Sequence, residues 1–237
     1  MSTFSHDAAE PDAESWPTPA VILGLMPVIG EERLAPYTSA CDGDPARSIR
    51  LYTWNIEASA ALLGAFAPLE VGIRNAMHNS LVRHFQRTDW WNAMSLSRVD
   101  RAQVDDAIAY LNRRRGQGQW TAGHVVAELK VSFWEGLLVN RYHAALWEPA
   151  LHSAFPHSRA RRGDIRAQLE RLRLLRNRAA HHEPIHARDL AIDHRYMCEL
   201  AARISPQLEW WIAGHSRLPR TIADRESTLD GTRSGRF

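Results

Sequence analysis

Apolar residues recur along this chain every three or four positions, and no stretch alternates with period two. That spacing belongs to amphipathic helices packed on one face. Asp44-Pro45 reads as a helix start, an N-cap followed by proline in the first turn, and Ile49, Tyr52, Ile56 and Leu63 carry the stripe onward. Gly64 and Pro68 are expected to kink or divide this helix before a second stripe, Leu69, Ile73, Met77 and Leu81. Ser97 opens a helix that ends in Arg113-Arg114-Arg115-Gly116, and Thr121 opens another through Val139. Gly163-Asp164, with Asp164 as N-cap, begins a helix whose apolar face is Ile165, Leu169, Leu172, Leu175 and Ala179. Pro184 biases Glu183 away from helical geometry, so this helix should stop near His182. Asp189 to Ala202 and Pro206 to Ala213 read as a final pair. The pattern predicts an all-α bundle. Residues 1–19 read as a flexible acidic arm, residues 20–214 as one helical domain, and residues 215–237 as a mobile polar tail.

One position breaks the pattern. At about 100° per residue, Arg176 falls near the middle of the apolar face of its helix, while Arg166, Arg171, Arg173 and Arg178 fall off it. An unpaired buried guanidinium costs several kcal/mol. Arg176 therefore needs a dedicated partner, or a cavity or interface to face; the plainer reading is an arginine snorkelling from the core edge. Asn177 follows it, and His181 falls in the last turn, where the helix dipole favours an imidazolium. An arginine, an amide and a histidine are the parts needed to hold a phosphate and move protons beside it. Spacing alone carries little weight, because Arg188 and His194 have it too. Residues 176 and 181 also point about 140° apart on an ideal helix. Joint action then needs a loosened last turn, arginine's long reach, or a second subunit.

His182-Glu183-Pro184-Ile185-His186 matches the letters of the H-E-x-x-H zinc-protease motif. That chemistry needs both histidines on one face of an unbroken helix, which Pro184 interrupts, so no metal site is expected. Glu70, Arg74 and His78 follow one another at i, i+4 beside the Leu69 stripe. They read either as a surface ion pair or as a second polar wall of a cleft, with Glu70 orienting Arg176 or Arg74 touching substrate. Trp54, Trp90, Trp91 and Trp134 read as core or interface anchors, and Asn55 as a structural residue needing a buried hydrogen-bond partner.

Net charge is only +2, so global charge does not announce a nucleic-acid binder. Locally, residues 157–178 are rich in arginine against only Asp164 and Glu170, a basic patch able to meet a phosphate backbone. Lys130 is the single lysine, and the arginine bias reads mainly as genome composition. Cys41 and Cys198 have no metal or redox spacing and fit a reducing, cytoplasmic compartment. The apolar run Ala20 to Ile29 is far shorter than the roughly 20 residues of a membrane span, so no membrane role is expected.

Four segments in order resemble the Abi family, bacterial abortive-infection proteins of the AbiD/AbiF type. They are Leu51-Tyr52-Thr53-Trp54-Asn55, Leu69 to Met77, Asp89-Trp90-Trp91, and Arg176 to Ile185. The resemblance covers roughly residues 20 to 212. That family is placed among HEPN proteins, helical domains whose Arg-x(4–6)-His motif cleaves RNA without a metal. The resemblance implies a HEPN-like helical bundle with additional helices. It also implies a toxin-type endoribonuclease in phage defence, with no cofactor, and a homodimer that brings two motifs face to face across one cleft. Arg176, Asn177 and His181 would be catalytic, and Arg178, His182, Glu70 and Arg74 would support or contact substrate. Expected partners are RNA, a second copy of the chain, and an antitoxin protein or small RNA that restrains it. A non-catalytic RNA-binding or partner-binding module of the same fold is the alternative.

Overall fold

The computed structural model describes residues 16–237, and residues 1–15 of the expected acidic arm lie outside them. The protein is all-α, with 73 % of it helical and no strand among the described residues. Among the described residues the α-helices run α1 (Pro19–Ile29), α2 (Glu31–Ala40), α3 (Pro45–Phe85), α4 (Arg98–Arg115), α5 (Ala122–Glu128), α6 (Val131–Gly136), α7 (Arg162–Ala180), α8 (Leu190–Ile204), α9 (Pro206–His215), α10 (Leu218–Ala223) and α11 (Arg225–Leu229). The chain falls into two compact units. Unit 1 takes the described part of Met1–Ala61 with Arg178–Arg188 and Arg217–Phe237, and unit 2 takes Leu62–Asn177 and Asp189–Ser216.

Local chemistry explains most boundaries. Asp44 Oδ1 accepts from the Ala46 and Arg47 amides at 2.9 and 3.0 Å and starts α3 as expected. Ser97 and Asp189 do the same for α4 and α8, and Gly116 closes α4 at φ 95°. Pro68, however, does not divide α3, which continues for 41 residues. The carbonyl that its ring crowds is four residues back, on Gly64, and the helix absorbs one missing hydrogen bond. By length and composition α3 contains a window apolar enough to cross a membrane, and 44 % of that window is buried inside the structure. Leu62, Phe66, Leu69, Ile73, Met77 and Leu81 are its buried face in unit 2, the pattern of a core helix.

The helix expected from Thr121 to Val139 breaks in two. Leu129 is extended at φ −68°, ψ 125° and ends α5 before α6 begins. On one unbroken helix Leu129 and Val131 would point about 200° apart; the break leaves both buried, at 3 % and 7 % exposure. The start of α7 also differs. It begins at Arg162, and Asp164 sits in the first turn, where its carboxylate accepts from the Arg161 amide at 3.3 Å. An acid three residues inside a helix that reaches back to the cap amide is half of a capping box.

In unit 1 the segment read as a mobile tail is structured. Helices α10 and α11 bury Leu218, Thr221, Thr228 and Leu229. The Trp54 indole donates to the Thr221 carbonyl at 2.7 Å, and Arg225 lies 5.2 Å over the Trp54 ring. Arg233 pairs with Glu57 at 2.6 Å and with Asp224 at 3.3 Å.

Unit 2 is built around Trp90, Trp91, Phe133 and Trp134, whose rings stand 5.3 to 6.3 Å apart in tilted and edge-on pairs. These tryptophans are core anchors, as is Trp54 in unit 1. Arg173 Nε lies 2.5 Å from the buried Glu135 carboxylate, and Arg166 lies 3.3 Å from its other oxygen. Arg171 pairs with the fully buried Asp193 at 2.7 Å. Removing one partner of a buried ion pair strands the other charge. Glu135→Ala should therefore cost about 3 kcal/mol, read as a lowered urea midpoint; an unchanged midpoint would show that the two arginines lose nothing.

Candidate functional site

Arg176 and Asn177 belong to unit 2, and His181 and His182 to unit 1. In unit 2 a cleft of about 270 Å³ is lined by Glu70 from α3, by Lys130, Val131 and Ser132 where α5 hands over to α6, and by Arg173, Arg176 and Asn177 from α7. Arg176 thus has the cavity that its anomalous position requires. Its partner is Glu70, with Nε 3.9 Å from Oε2, and their side chains are 38 % and 23 % exposed. At that distance the pair is a loose ion contact and not a hydrogen bond.

The neighbouring arginines are occupied. Arg166 and Arg173 hold Glu135, Arg171 holds Asp193, and Arg162 donates to the Leu138 carbonyl. The stretch that reads as a free basic patch is therefore largely an internal ion-pair network. Lys130, Ser132 and Arg173 line the cleft without having been singled out from sequence. The available signal was that Lys130 is the chain's single lysine. Arg74 is not among the lining residues and instead donates to the Ala127 carbonyl at 3.4 Å. His78 accepts from the Trp90 indole at 3.1 Å on its Nδ1, a structural role.

In unit 1, α7 ends at Ala180, two residues before the expected stop at His182. The Glu183 amide bonds the Arg178 carbonyl at 2.9 Å and the His182 amide bonds the Ala179 carbonyl at 3.1 Å, with His182 left-handed at φ 59°. This is a Schellman closure with histidine where glycine is usual, which costs about 1 kcal/mol. His181 is the capping residue and is exposed, at the negative end of the helix dipole. Its turn is braced from several sides. Arg33 Nη1 donates to the His182 carbonyl at 2.6 Å, Arg178 Nη2 donates to the Pro184 carbonyl at 2.6 Å, and Arg178 pairs with Glu183 at 3.4 Å. The Ile185 amide donates to Asn55 Oδ1 at 2.7 Å, the buried partner that Asn55 required. Arg178 and the His182 backbone thus hold the turn together. The letters H-E-x-x-H lie in this turn and loop and not on a helix. Among the described residues no group of three or more His, Cys, Asp and Glu is gathered to hold a metal ion.

Three other histidines are less exposed than His181, with His186 buried and His78 and His194 half-buried. Burial lowers the pKa of His78, His186 and His194, and the positive charges of Arg225 and Arg178 push His186 in the same direction. Each stays neutral in the fold at a pH where its unfolded counterpart binds a proton. Their contribution is complete above the ordinary histidine pKa and is lost as pH falls through it, at up to about 1.4 kcal/mol per pH unit for each group. The urea midpoint should fall between about pH 7 and pH 5, and less steeply in His186→Gln; a midpoint flat across that window would contradict the burial argument.

No protein-family model, curated protein or solved structure matches the chain.

Proposed function

We propose that the chain is a metal-independent endoribonuclease of the HEPN type, an Abi-like abortive-infection toxin that acts on RNA in the cytoplasm. One observation carries the reading. Arg176, alone among the arginines of the central stretch of α7, faces a polar cleft with only a loose partner, and Asn177 lines the same cleft. Arg176 holds the phosphate and stabilises the charge that develops on it. Asn177 donates to a phosphate oxygen or orients the imidazole. His181 takes the proton from a ribose 2′-hydroxyl or returns one to the leaving 5′-oxygen. Glu70 sets the guanidinium. A homodimer, with two motifs across one cleft, answers the wide angle between residues 176 and 181 on one helix. Arg178 and His182 brace the turn in this reading, and Arg74 is assigned no contact.

A second reading is a non-catalytic RNA-binding module, favoured by Lys130, because a lysine in the cleft serves binding without any histidine. One experiment separates the two. On expression in bacteria, wild type should arrest growth and fragment total RNA, and His181→Ala should do neither. Arrest by both proteins, with intact RNA, would leave only the binding module.

A further inference from the structure

We infer that the cleft of unit 2 is a subsite for one backbone phosphate of an RNA strand, with Lys130 as its main electrostatic contact. The inference rests on the nuclease reading for the identity of the strand. The observations behind it are of three kinds.

The first is charge. Lys130 and Arg176 face the cleft against the single carboxylate of Glu70, while the charge of Arg173 is met by Glu135 behind it. The remaining balance is one positive charge, the complement of one phosphodiester. The second is hydrogen-bonding capacity. The Lys130 ammonium, the Ser132 hydroxyl and the Asn177 amide make no side-chain hydrogen bond or ion pair among the described residues, although all three line the cleft. Three donors lining one concavity, with the Glu70 carboxylate already engaged by Arg176, fit a ligand made of acceptors. The third is the geometry of Arg176. A partner at 3.9 Å leaves the guanidinium fork open for a bidentate phosphate contact, with Glu70 as the group an incoming anion displaces.

This assigns opposite signs to the loss of Lys130 and the neutralisation of Glu70. Lys130 is exposed and contributes no side-chain cap to α6, so Lys130→Ala leaves the fold intact, which circular dichroism checks. The probe is a fluorescent strand carrying 2′-O-methyl groups throughout, which cannot be cut. Lys130→Ala should weaken its binding about fivefold to tenfold and reduce the slope of log affinity against log salt by about 0.7. Lys130→Arg should restore both. Glu70→Gln removes the competing carboxylate and should tighten binding severalfold, a gain that a purely structural Lys130 does not predict. Inorganic phosphate is the second probe. If it binds in a Lys130-dependent way and the strand does not, the cleft is a small-anion site and the inference is overturned. Cleavage of RNA with affinity and salt slope indifferent to Lys130→Ala overturns the subsite and leaves the nuclease standing. Lys130-dependent strand binding with no cleavage of ordinary RNA upholds the subsite and overturns the nuclease.

Discussion

Purified His181→Ala protein is expected to cleave RNA at least a hundredfold more slowly than wild type, and as much as ~10⁴-fold, the span that a lost general acid or base commands. Arg176→Ala should lose about 10²- to 10³-fold, the range for removing one donor that stabilises transition-state charge. Neither change should unfold the protein. His181 is an exposed cap whose interaction with the helix dipole is worth about 1 kcal/mol or less. Arg176 gives up a loose, partly exposed pair with Glu70, which is a small loss. The pairing of unchanged urea midpoints with lost cleavage is what identifies the two residues as chemical parts. Wild-type rates in both variants would remove them from the site. A collapsed midpoint in Arg176→Ala would instead make that arginine a structural counterion to Glu70. The same preparations test the shared cleft, since sedimentation at micromolar concentration should give about twice the chain mass, and an active monomer would refute it.

How far the sequence could be read depended on the range of the interactions involved. Asp44, Ser97 and Asp189 cap their helices through contacts two or three residues away, so their signals are complete in the local sequence. The anomaly at Arg176 was legible for the same reason, because helical periodicity alone puts it on the apolar face. Its partner was legible only as one of several options, since Glu70 lies more than a hundred positions earlier. The arginines that read as a free patch are neutralised by Glu135 and Asp193, carboxylates more than twenty residues away that no local pattern connects to them. The last twenty residues show a similar failure. Leu218, Thr221 and Leu229 are too few and too widely spaced to advertise a helix, and Arg233 is fixed by Glu57 from the other end of the sequence. The early stop of α7 depends on His182 accepting a left-handed backbone, which sequence statistics assign to glycine.

Cleavage should persist in excess EDTA, leave a 2′,3′-cyclic phosphate and a 5′-hydroxyl, and stop when one 2′-deoxy nucleotide replaces the ribose at the cut. A metal-assisted hydrolysis uses an ion held by several side chains to generate its nucleophile from water. Arg176, Asn177 and His181 offer a cation, an amide and a proton carrier, and none of them generates hydroxide at neutral pH. Strand scission with these parts requires the substrate to bring the nucleophile. RNA does so through the 2′-hydroxyl, which DNA lacks. The 2′-oxygen attacks the adjacent phosphorus and its proton passes to a base. The bond from phosphorus to the 5′-oxygen breaks, and that oxygen takes a proton and leaves as a hydroxyl. The phosphorus stays on the 2′- and 3′-oxygens as a ring. A single missing oxygen should therefore abolish the reaction outright while leaving binding within about twofold, since the phosphate contacts of Lys130 and Arg176 do not use it. Mass spectrometry of a short oligonucleotide reads the ends directly. A 5′-phosphate product that disappears with chelator would eliminate this mechanism, and with it the roles given to Arg176 and His181.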